Sequence, residues 1–212
     1  MSKTIITIGR QYGSGGREIG EIISKSLDIP FYDRELILIA AQKGNMSPQI
    51  LSEVDEKAAG NFQYSAVFGN YAHGARFSFT GENLPMNDRL FILQSEIIKK
   101  AANESCLIIG RCADYVLNDN PELVSVFVFA DIKTRAERAV LEYGDSSERI
   151  YERLKKIDKA RANYYNFYSD RKWGRADNYN LCIDSGSLGI KNSAELIEDF
   201  VRMRAQHQES QG

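Results

Sequence analysis

Paired cysteines are missing from this sequence, and their absence excludes two classes of protein. The 212 residues contain three cysteines, Cys106, Cys112 and Cys182, which are widely spaced and form no CxxC pair. An odd number of scattered cysteines argues against a disulfide framework and against a zinc site. It is typical of reduced thiols, so the sequence predicts a cytoplasmic location.

Long apolar runs and an excess of charge are missing as well. No run reaches the length of about 18 residues that a membrane span needs, and polar and glycine residues interrupt any signal peptide by Gly9. A net charge of −2 gives no reason to expect binding to a nucleic-acid polymer. Hydrophobic residues make up 43% of the chain, and no internal repeat is present, so we expect a single domain over residues 1–212.

The most informative stretch lies near the start of the chain. Thr4–Ile8 is a short run rich in β-branched residues, which predicts a buried parallel strand, and from Ile19 onward the apolar residues recur at helical spacing. Four glycines lie within the eight residues Gly9–Gly16 between them. Strand, glycine loop and helix direct backbone N–H groups at an anion, so this loop predicts a phosphate site rather than a plain turn. Its residues are Gly9, Arg10, Gly13, Ser14, Gly15, Gly16, Arg17 and Glu18.

The loop lacks the lysine of the standard phosphate-binding motif, G-x-x-x-x-G-K-[ST]. When Gly15 is aligned with the second glycine, Gly16 occupies the lysine position and Arg17 the hydroxyl position. Arg17 is therefore the first candidate for a replacement cation and Arg10 the second, because a guanidinium also suits phosphate oxygens.

The missing hydroxyl leaves the metal ligand open, and Ser14 and Glu18 are the candidates for holding Mg²⁺. A dinucleotide-binding loop is the rival interpretation, since Gly13-Ser14-Gly15 opens the helix and Asp33 follows about twenty residues later. Glu18 argues against it, because a carboxylate at the third glycine position would crowd the helix–strand contact and repel a pyrophosphate.

The remaining apolar segments alternate between strand and helix periods. This alternation predicts an α/β domain with a parallel sheet of about five strands. We expect further strands at 29–32, 106–109, 124–130 and 179–183, and helices at 35–43, from 47, at 88–102, after Asp131 and at 194–204, with residues 205–212 frayed.

Charged residues follow two of these strands, where α/β folds bind ligands. Asp33-Arg34 closes the strand at 29–32, and Gly110-Arg111, with Asp114 on the next turn, closes the strand at 106–109. We therefore treat these side chains as candidate ligand-binding residues.

Two segments have unusual compositions. Residues 60–86 mix aromatics, glycines and polar groups without a period, which indicates a surface loop, a substrate flap or a homodimer contact. Residues 147–175 contain nine Lys/Arg and four acidic residues. Arg149 and Arg153 share a helix face, and they belong either to a solvated helix or to a lid that meets a triphosphate. Without a ligand, like charges in this segment predict that it is splayed.

These motifs together resemble the cytidylate kinase-like proteins, a branch of the P-loop nucleoside monophosphate kinases. The resemblance extends over nearly the whole chain and is carried by residues 8–18, 31–34, 109–115, 158–165 and 183–185. It implies a P-loop NTPase fold with three α/β/α layers and a five-stranded parallel sheet in the order 2-3-1-4-5. It also implies an acceptor-binding region at about 34–103 and a helical lid at about 133–175.

The resemblance implies a reaction, with ATP and Mg²⁺ as cofactors and small-molecule nucleotides as partners. The γ-phosphate of ATP would move to a nucleoside monophosphate, with CMP as the expected acceptor. Because the lysine is missing, two alternatives stay open: a nucleotide-binding regulatory module without kinase activity, and a kinase for another small acceptor. By this resemblance Arg111 would hold the acceptor phosphate, Asp158 and Arg161 would meet the acceptor nucleotide, and Arg149 and Arg153 would meet the donor phosphates. The strand-end residues Asp33, Arg34 and Asp114 are expected at the acceptor as well, and Arg17, from the loop alignment, is the expected catalytic replacement for lysine.

Overall fold

The computed structural model of the chain describes residues 3–33 and 86–210. Arg34, the expected helices at 35–43 and from 47, and the aromatic stretch up to residue 85 lie outside these ranges. Within them the strands are β1 (Ile5–Arg10), β2 (Phe31–Tyr32), β3 (Cys106–Ile109), β4 (Leu123–Phe129) and β5 (Leu181–Asp184). The α-helices, numbered along the described residues, are α1 (Gly16–Leu27), α2 (Met86–Ala101), α3 (Ala113–Val116), α4 (Ile132–Leu141), α5 (Ile150–Ser169) and α6 (Ser185–Glu209).

The five strands form one parallel sheet in the order β2-β3-β1-β4-β5, which confirms the expected order. Strand β1 lies at the centre, where Ile5 pairs with Cys106 on one side and with Leu123 on the other. A central strand is covered on both faces, which explains its continuous run of β-branched residues. The glycine loop that follows β1 therefore opens at the middle of the sheet edge.

The two faces of the sheet bury separate cores, which confirms the three-layer architecture. Ile6 and Ile8 pack against α1 and α6, with Ile23 and Ile197 among their neighbours. Ile5 points to the opposite face and packs against α2 and α3. This division follows from the alternation of side chains along a strand. None of the described helices has both the length and the apolar character that a membrane crossing requires.

Helix α6 is longer than expected, because it begins at Ser185 and continues to Glu209. Its N-terminus is capped by Asp184, and it bends at Gly189, whose φ of 76° lies outside the helical region. The expectation of a frayed terminus from residue 205 is wrong for residues 205–209. Arg204 and Gln208 each donate a hydrogen bond to the Pro121 carbonyl, at 3.2 Å, and these bonds hold the last turns against the sheet.

Helix α5 differs from the splayed segment that its charges predicted. It is continuous from Ile150 to Ser169, and it packs against α4 through Ile150 and Leu154, which lie with Ala136 and Ala139 in a small apolar cluster. Apolar burial and nearby carboxylates offset the repulsion between its cations. The segment predicted to form a lid is therefore docked beside the glycine loop.

Candidate functional site

The loop between β1 and α1 depends on glycine at two positions. Gly13 and Gly15 have φ values of 76° and 75°, in the left-handed region that favours glycine. A Cβ at Gly13 would lie 2.5 Å from the Arg135 carbonyl oxygen, so the loop also packs directly on the α4 backbone. The first bond of α1 runs from the Ile19 N–H to the Gly15 carbonyl at 3.0 Å. Earlier N–H groups of the helix are thus available to an anion.

Ser14 is used inside the loop. Its side chain is fully buried, and its hydroxyl donates to the Gln11 carbonyl at 2.8 Å. The Ser185 hydroxyl in turn donates to the Ser14 carbonyl at 2.6 Å, which ties the loop to the start of α6. Because this side chain is fully buried, a role for Ser14 as a magnesium ligand would require the loop to rearrange and expose the hydroxyl oxygen, which still has lone pairs for a cation.

Glu18 is better suited to a metal. One of its carboxylate oxygens, Oε2, is buried without a hydrogen-bond partner, and such an orphaned acceptor is unusual. The described residues hold no cluster of three or more His, Cys, Asp or Glu side chains. Mg²⁺ commonly binds through one or two carboxylates, substrate phosphates and water, so Glu18 alone fits such an ion.

The lysine position of the motif has no room for a side chain. A Cβ at Gly16 would lie 2.6 Å from the Arg10 Cβ. The Arg10 side chain itself extends toward β3, where its guanidinium occupies the space that a side chain at Gly110 would need. Its Nη2 lies 3.8 Å from Asp33 Oδ1, at the end of β2. Arg10 therefore fills the lysine's space near the backbone but directs its charge to the neighbouring strands.

Arg17 takes the same direction. Its Nε lies 3.3 Å from Asp33 Oδ2 and 3.2 Å from Glu21 Oε1, and its side chain is 62% exposed. Asp33 is 8% exposed and thus serves as a buried counter-ion for Arg10 and Arg17. Both sequence-predicted replacements for the lysine consequently lie on the β2 side of the site, away from Gly13.

Two arginines of α4 contact the loop instead. Arg135 is 6% exposed; its Nε donates to the Ala130 carbonyl at 3.0 Å, and its Nη1 reaches the Tyr12 carbonyl at 3.2 Å. Arg138 Nη1 donates to the Gly13 carbonyl at 2.9 Å. Neither residue was among the site residues that the sequence patterns predicted. Their spacing of three, which places both on one helix face after a predicted strand, was the signal that could have identified them.

Helix α5 brings the sequence-predicted pair Asp158 and Arg161 to the same loop. Asp158 Oδ1 accepts from the Tyr12 backbone N–H at 2.8 Å, and its Oδ2 pairs with Arg135 Nη1 at 2.5 Å. Arg161 Nη1 donates to the Arg10 carbonyl at 3.0 Å, and its guanidinium lies 5.5 Å from the centre of the Tyr12 ring. Burial lowers the pKa of Arg161 and Asp158 opposes this effect, but a guanidinium stays charged at neutral pH.

The expected lid arginines lie at the margin of the site. Arg153 Nη2 lies 3.1 Å from Asp145 Oδ1, and its side chain is 55% exposed. The Tyr12 hydroxyl donates to Asp145 Oδ2 at 2.9 Å, so one carboxylate links the loop with Arg153. Arg149 is exposed and precedes α5 in a left-handed conformation with φ of 54°.

Three consecutive residues with positive φ follow strand β3. Gly110, Arg111 and Cys112 have φ values of 68°, 59° and 54°, and such strain in non-glycine residues is concentrated at functional sites. Burial lowers the pKa of Arg161, and the charge of Arg111 adds to that effect, so Arg111 lies within electrostatic range of Arg161.

Asp114 lies in the interior. It is 7% exposed and accepts a hydrogen bond from the Tyr165 hydroxyl at 2.7 Å. Burial raises the pKa of Asp114, and the Tyr165 hydrogen bond partly opposes that shift. The structure thus places Asp114 in the interior beside Tyr165 rather than at an open surface.

The site thus combines a central glycine loop, a helix N-terminus and arginines from α4, α5 and the end of β3. A parallel sheet of this order with a loop of this kind after its first strand defines the fold of the P-loop kinases. Shikimate kinase from Bacteroides thetaiotaomicron has this fold: it is 12% identical, with a TM-score of 0.54 and coverage of 95% of this chain and 99% of its own. The cytidylate kinase-like family matches residues 5–187, and the chain belongs to this family.

Two other solved structures resemble the chain over nearly its whole length. An uncharacterized protein from Eubacterium ventriosum is 28% identical, with a TM-score of 0.68 and coverage of 94% of this chain and 99% of its own. The YorR protein from Bacillus subtilis, solved in complex with phosphorylated GDP, is 14% identical, with a TM-score of 0.50 and coverage of 96% and 99%. A search among curated proteins finds no match.

Proposed function

We propose that this protein is an ATP-dependent phosphotransferase that transfers the γ-phosphate of ATP to a nucleoside monophosphate, with CMP as the expected acceptor. The observation that carries the proposal is the contact of Arg138 and Arg161 with the backbone of the glycine loop, at 2.9 and 3.0 Å. Cations and helix N–H groups that converge on one loop favour a polyphosphate. The proposal includes a cytoplasmic location and small-molecule nucleotide partners.

The cations divide into two groups that suit the two substrates. The loop N–H groups, Arg138 of α4 and the expected lid arginines Arg149 and Arg153 would hold the donor phosphates. Arg10 and Arg17 lie beside Asp33, and Arg111 follows the adjacent strand β3, so this side suits the acceptor phosphate. Two phosphate-binding halves that meet at the end of β1 would bring donor and acceptor together.

The reaction requires positioning and charge neutralisation rather than a strong base. An oxygen of the acceptor phosphate forms a bond with the γ-phosphorus, the bond from that phosphorus to the bridging oxygen breaks, and ADP leaves with the electron pair. Mg²⁺, which Glu18 could help to hold, would neutralise charge on the donor phosphates. Arginines near the loop would supply the remaining positive charge.

A second candidate function is a nucleotide-binding regulatory module without catalysis. The observation that favours it is the Arg10 Cβ, which fills the space beside Gly16 where a lysine side chain would begin. A kinase for another small acceptor is the third candidate. All three share the prediction that ATP binds at the glycine loop, and they differ in turnover and acceptor.

A panel of acceptors distinguishes these functions. ADP release should be measured with Mg²⁺-ATP and CMP, dCMP, UMP, AMP, GMP or shikimate, and chromatography should identify the phosphorylated product. Conversion of CMP to CDP supports the proposal, whereas ATP binding without turnover on any acceptor supports the regulatory module. Turnover of shikimate alone would support a kinase for a different acceptor. Light scattering on the same sample tests for a homodimer.

A further inference from the structure

We infer that Arg138 supplies the donor-phosphate cation that the loop sequence lacks. The inference rests on the proposed function, because it assigns a contact to the nucleotide that the loop would bind. The aligned lysine position, Gly16, is blocked by the Arg10 Cβ at 2.6 Å. Arg10 and Arg17 direct their guanidinium groups to Asp33. The replacement cation must therefore come from another element.

The other arginines at the loop are less suited to this role. Arg135 is buried, and its Nε and Nη1 already serve the Ala130 carbonyl, the Tyr12 carbonyl and Asp158. Arg161 is directed to the Arg10 carbonyl, at the end of β1. These two side chains bind the carbonyls of Tyr12 and Arg10, which precede Gly13 and Gly15 in the loop.

Arg138 reaches the glycines themselves. Its Nη1 lies 2.9 Å from the Gly13 carbonyl and would lie 3.4 Å from a Cβ at Gly15. The side chain is half-buried, so part of it remains open to a ligand. A guanidinium has five N–H donors, and a bond to a charged phosphate oxygen is stronger than one to a neutral carbonyl. The carbonyl contact thus holds Arg138 where a phosphate could recruit its other donors.

The backbone fixes the place of Arg138 relative to the loop. Gly13 packs so closely on α4 that an added Cβ would lie 2.5 Å from the Arg135 carbonyl oxygen. Asp131 caps α4 by accepting from the N–H groups of Lys133 and Thr134. The close packing at Gly13 and the cap at Asp131 together hold α4, which carries Arg138, against the glycines.

Calorimetric titration of the full chain with Mg²⁺-ATP and with adenosine tests the inference. Arg138→Gln removes the charge but keeps an amide donor for the Gly13 carbonyl, so it should preserve the loop. Losing one charge-assisted phosphate contact should weaken ATP binding about 10- to 100-fold. Adenosine, which has no phosphate, should bind the variant and the unaltered protein alike, and Arg138→Lys should recover part of the ATP affinity.

Lys133→Ala is the matched control, because Lys133 is an exposed cation on the same helix. The ATP affinity of this variant should equal that of the unaltered protein. Urea unfolding of each variant verifies that the fold is kept. Unchanged ATP affinity in Arg138→Gln, or equal losses for ATP and adenosine, would overturn the inference while leaving the proposed function intact. If the unaltered protein binds no ATP, the proposed function fails, and the inference fails with it.

Discussion

The Tyr12 hydroxyl donates a hydrogen bond to Asp145 Oδ2 at 2.9 Å, while Asp145 Oδ1 lies 3.1 Å from Arg153 Nη2. One carboxylate thus connects the centre of the glycine loop with the arginine-bearing helix α5. Burial raises the pKa of Tyr12, and Asp145 adds to that shift, so the hydroxyl keeps its proton and acts as the donor.

The Tyr12 contact gives the first prediction. Tyr12→Phe should lower the free energy of unfolding by about 1 kcal/mol, the usual net value of one hydrogen bond. Asp145→Ala should lower the free energy of unfolding further, because it leaves both Tyr12 and Arg153 without their acceptor. The contribution from Arg153 should be small, because an exposed ion pair adds little stability. Urea unfolding measures both variants. Equal stability of Tyr12→Phe and the unaltered protein would show that the bond contributes nothing.

The buried pair of Arg135 and Asp158 leads to the second prediction. Their side chains are 8% and 15% exposed, and removal of one partner leaves an uncompensated charge. Asp158→Ala should therefore lower the free energy of unfolding by about 3–5 kcal/mol. Asp177→Ala breaks an exposed pair with Arg175 and, as the control, should cost less than about 1 kcal/mol. A loss of activity in Asp158→Ala without a loss of stability would instead support a direct role at the acceptor.

The third prediction concerns the proposed lid. ATP should slow amide hydrogen exchange in residues 147–161, because phosphate charge would draw Arg149 and Arg153 toward the loop. Arg153→Ala should lower kcat/KM for ATP more than for the acceptor. Arg202→Ala, which alters an exposed arginine on α6, is the control. If saturating Mg²⁺-ATP slows exchange only at residues 9–18, the lid assignment is wrong.

Arg111 gives the fourth prediction. Arg111→Ala should raise the KM for the acceptor about 10- to 100-fold through loss of a charge-assisted contact, with little change in the KM for ATP. Steady-state kinetics with each substrate varied in turn provide the measurement. A similar rise in both KM values would indicate that Arg111 supports the strained end of β3 rather than the acceptor.

The fifth prediction uses the buried carboxyl of Asp114. Its pKa is raised in the folded state, so the native protein binds a proton more tightly than the unfolded chain. Stability should therefore fall as the pH rises from the ordinary pKa of an aspartate through the raised value, and then level off. Asp114→Asn cannot ionise and keeps an acceptor for Tyr165, so it should gain stability relative to the unaltered protein over that window.

Urea unfolding at several pH values measures this gain for Asp114→Asn. Asp119→Asn, at an exposed position after α3, is the control and should show no comparable change with pH. A stability difference between Asp114→Asn and the unaltered protein that stays constant with pH would show that Asp114 ionises normally in its buried position.

Much of the fold could be predicted from local patterns. The apolar run Thr4–Ile8 predicted a buried strand, and the spacing of Ile19 and Ile23 predicted the buried face of α1, because such periods reflect which side of an element meets the core. Helix α6 was predicted too short. Its first turn precedes a bend at Gly189, and its last turns are held by Arg204, so neither end carries a continuous apolar period.

The sequence by itself determined the glycine loop, since Gly13 and Gly15 adopt backbone angles that favour glycine. Only the tertiary structure decided which arginines face that loop. Arg17 is close to it in sequence but pairs with Asp33, whereas Arg138 lies 125 residues from Gly13 and donates to its carbonyl. A long side chain can turn to several sides of its helix, so its direction is set by the carboxylates and carbonyls that folding brings near. Those neighbours come from distant segments, and no local pattern encodes them.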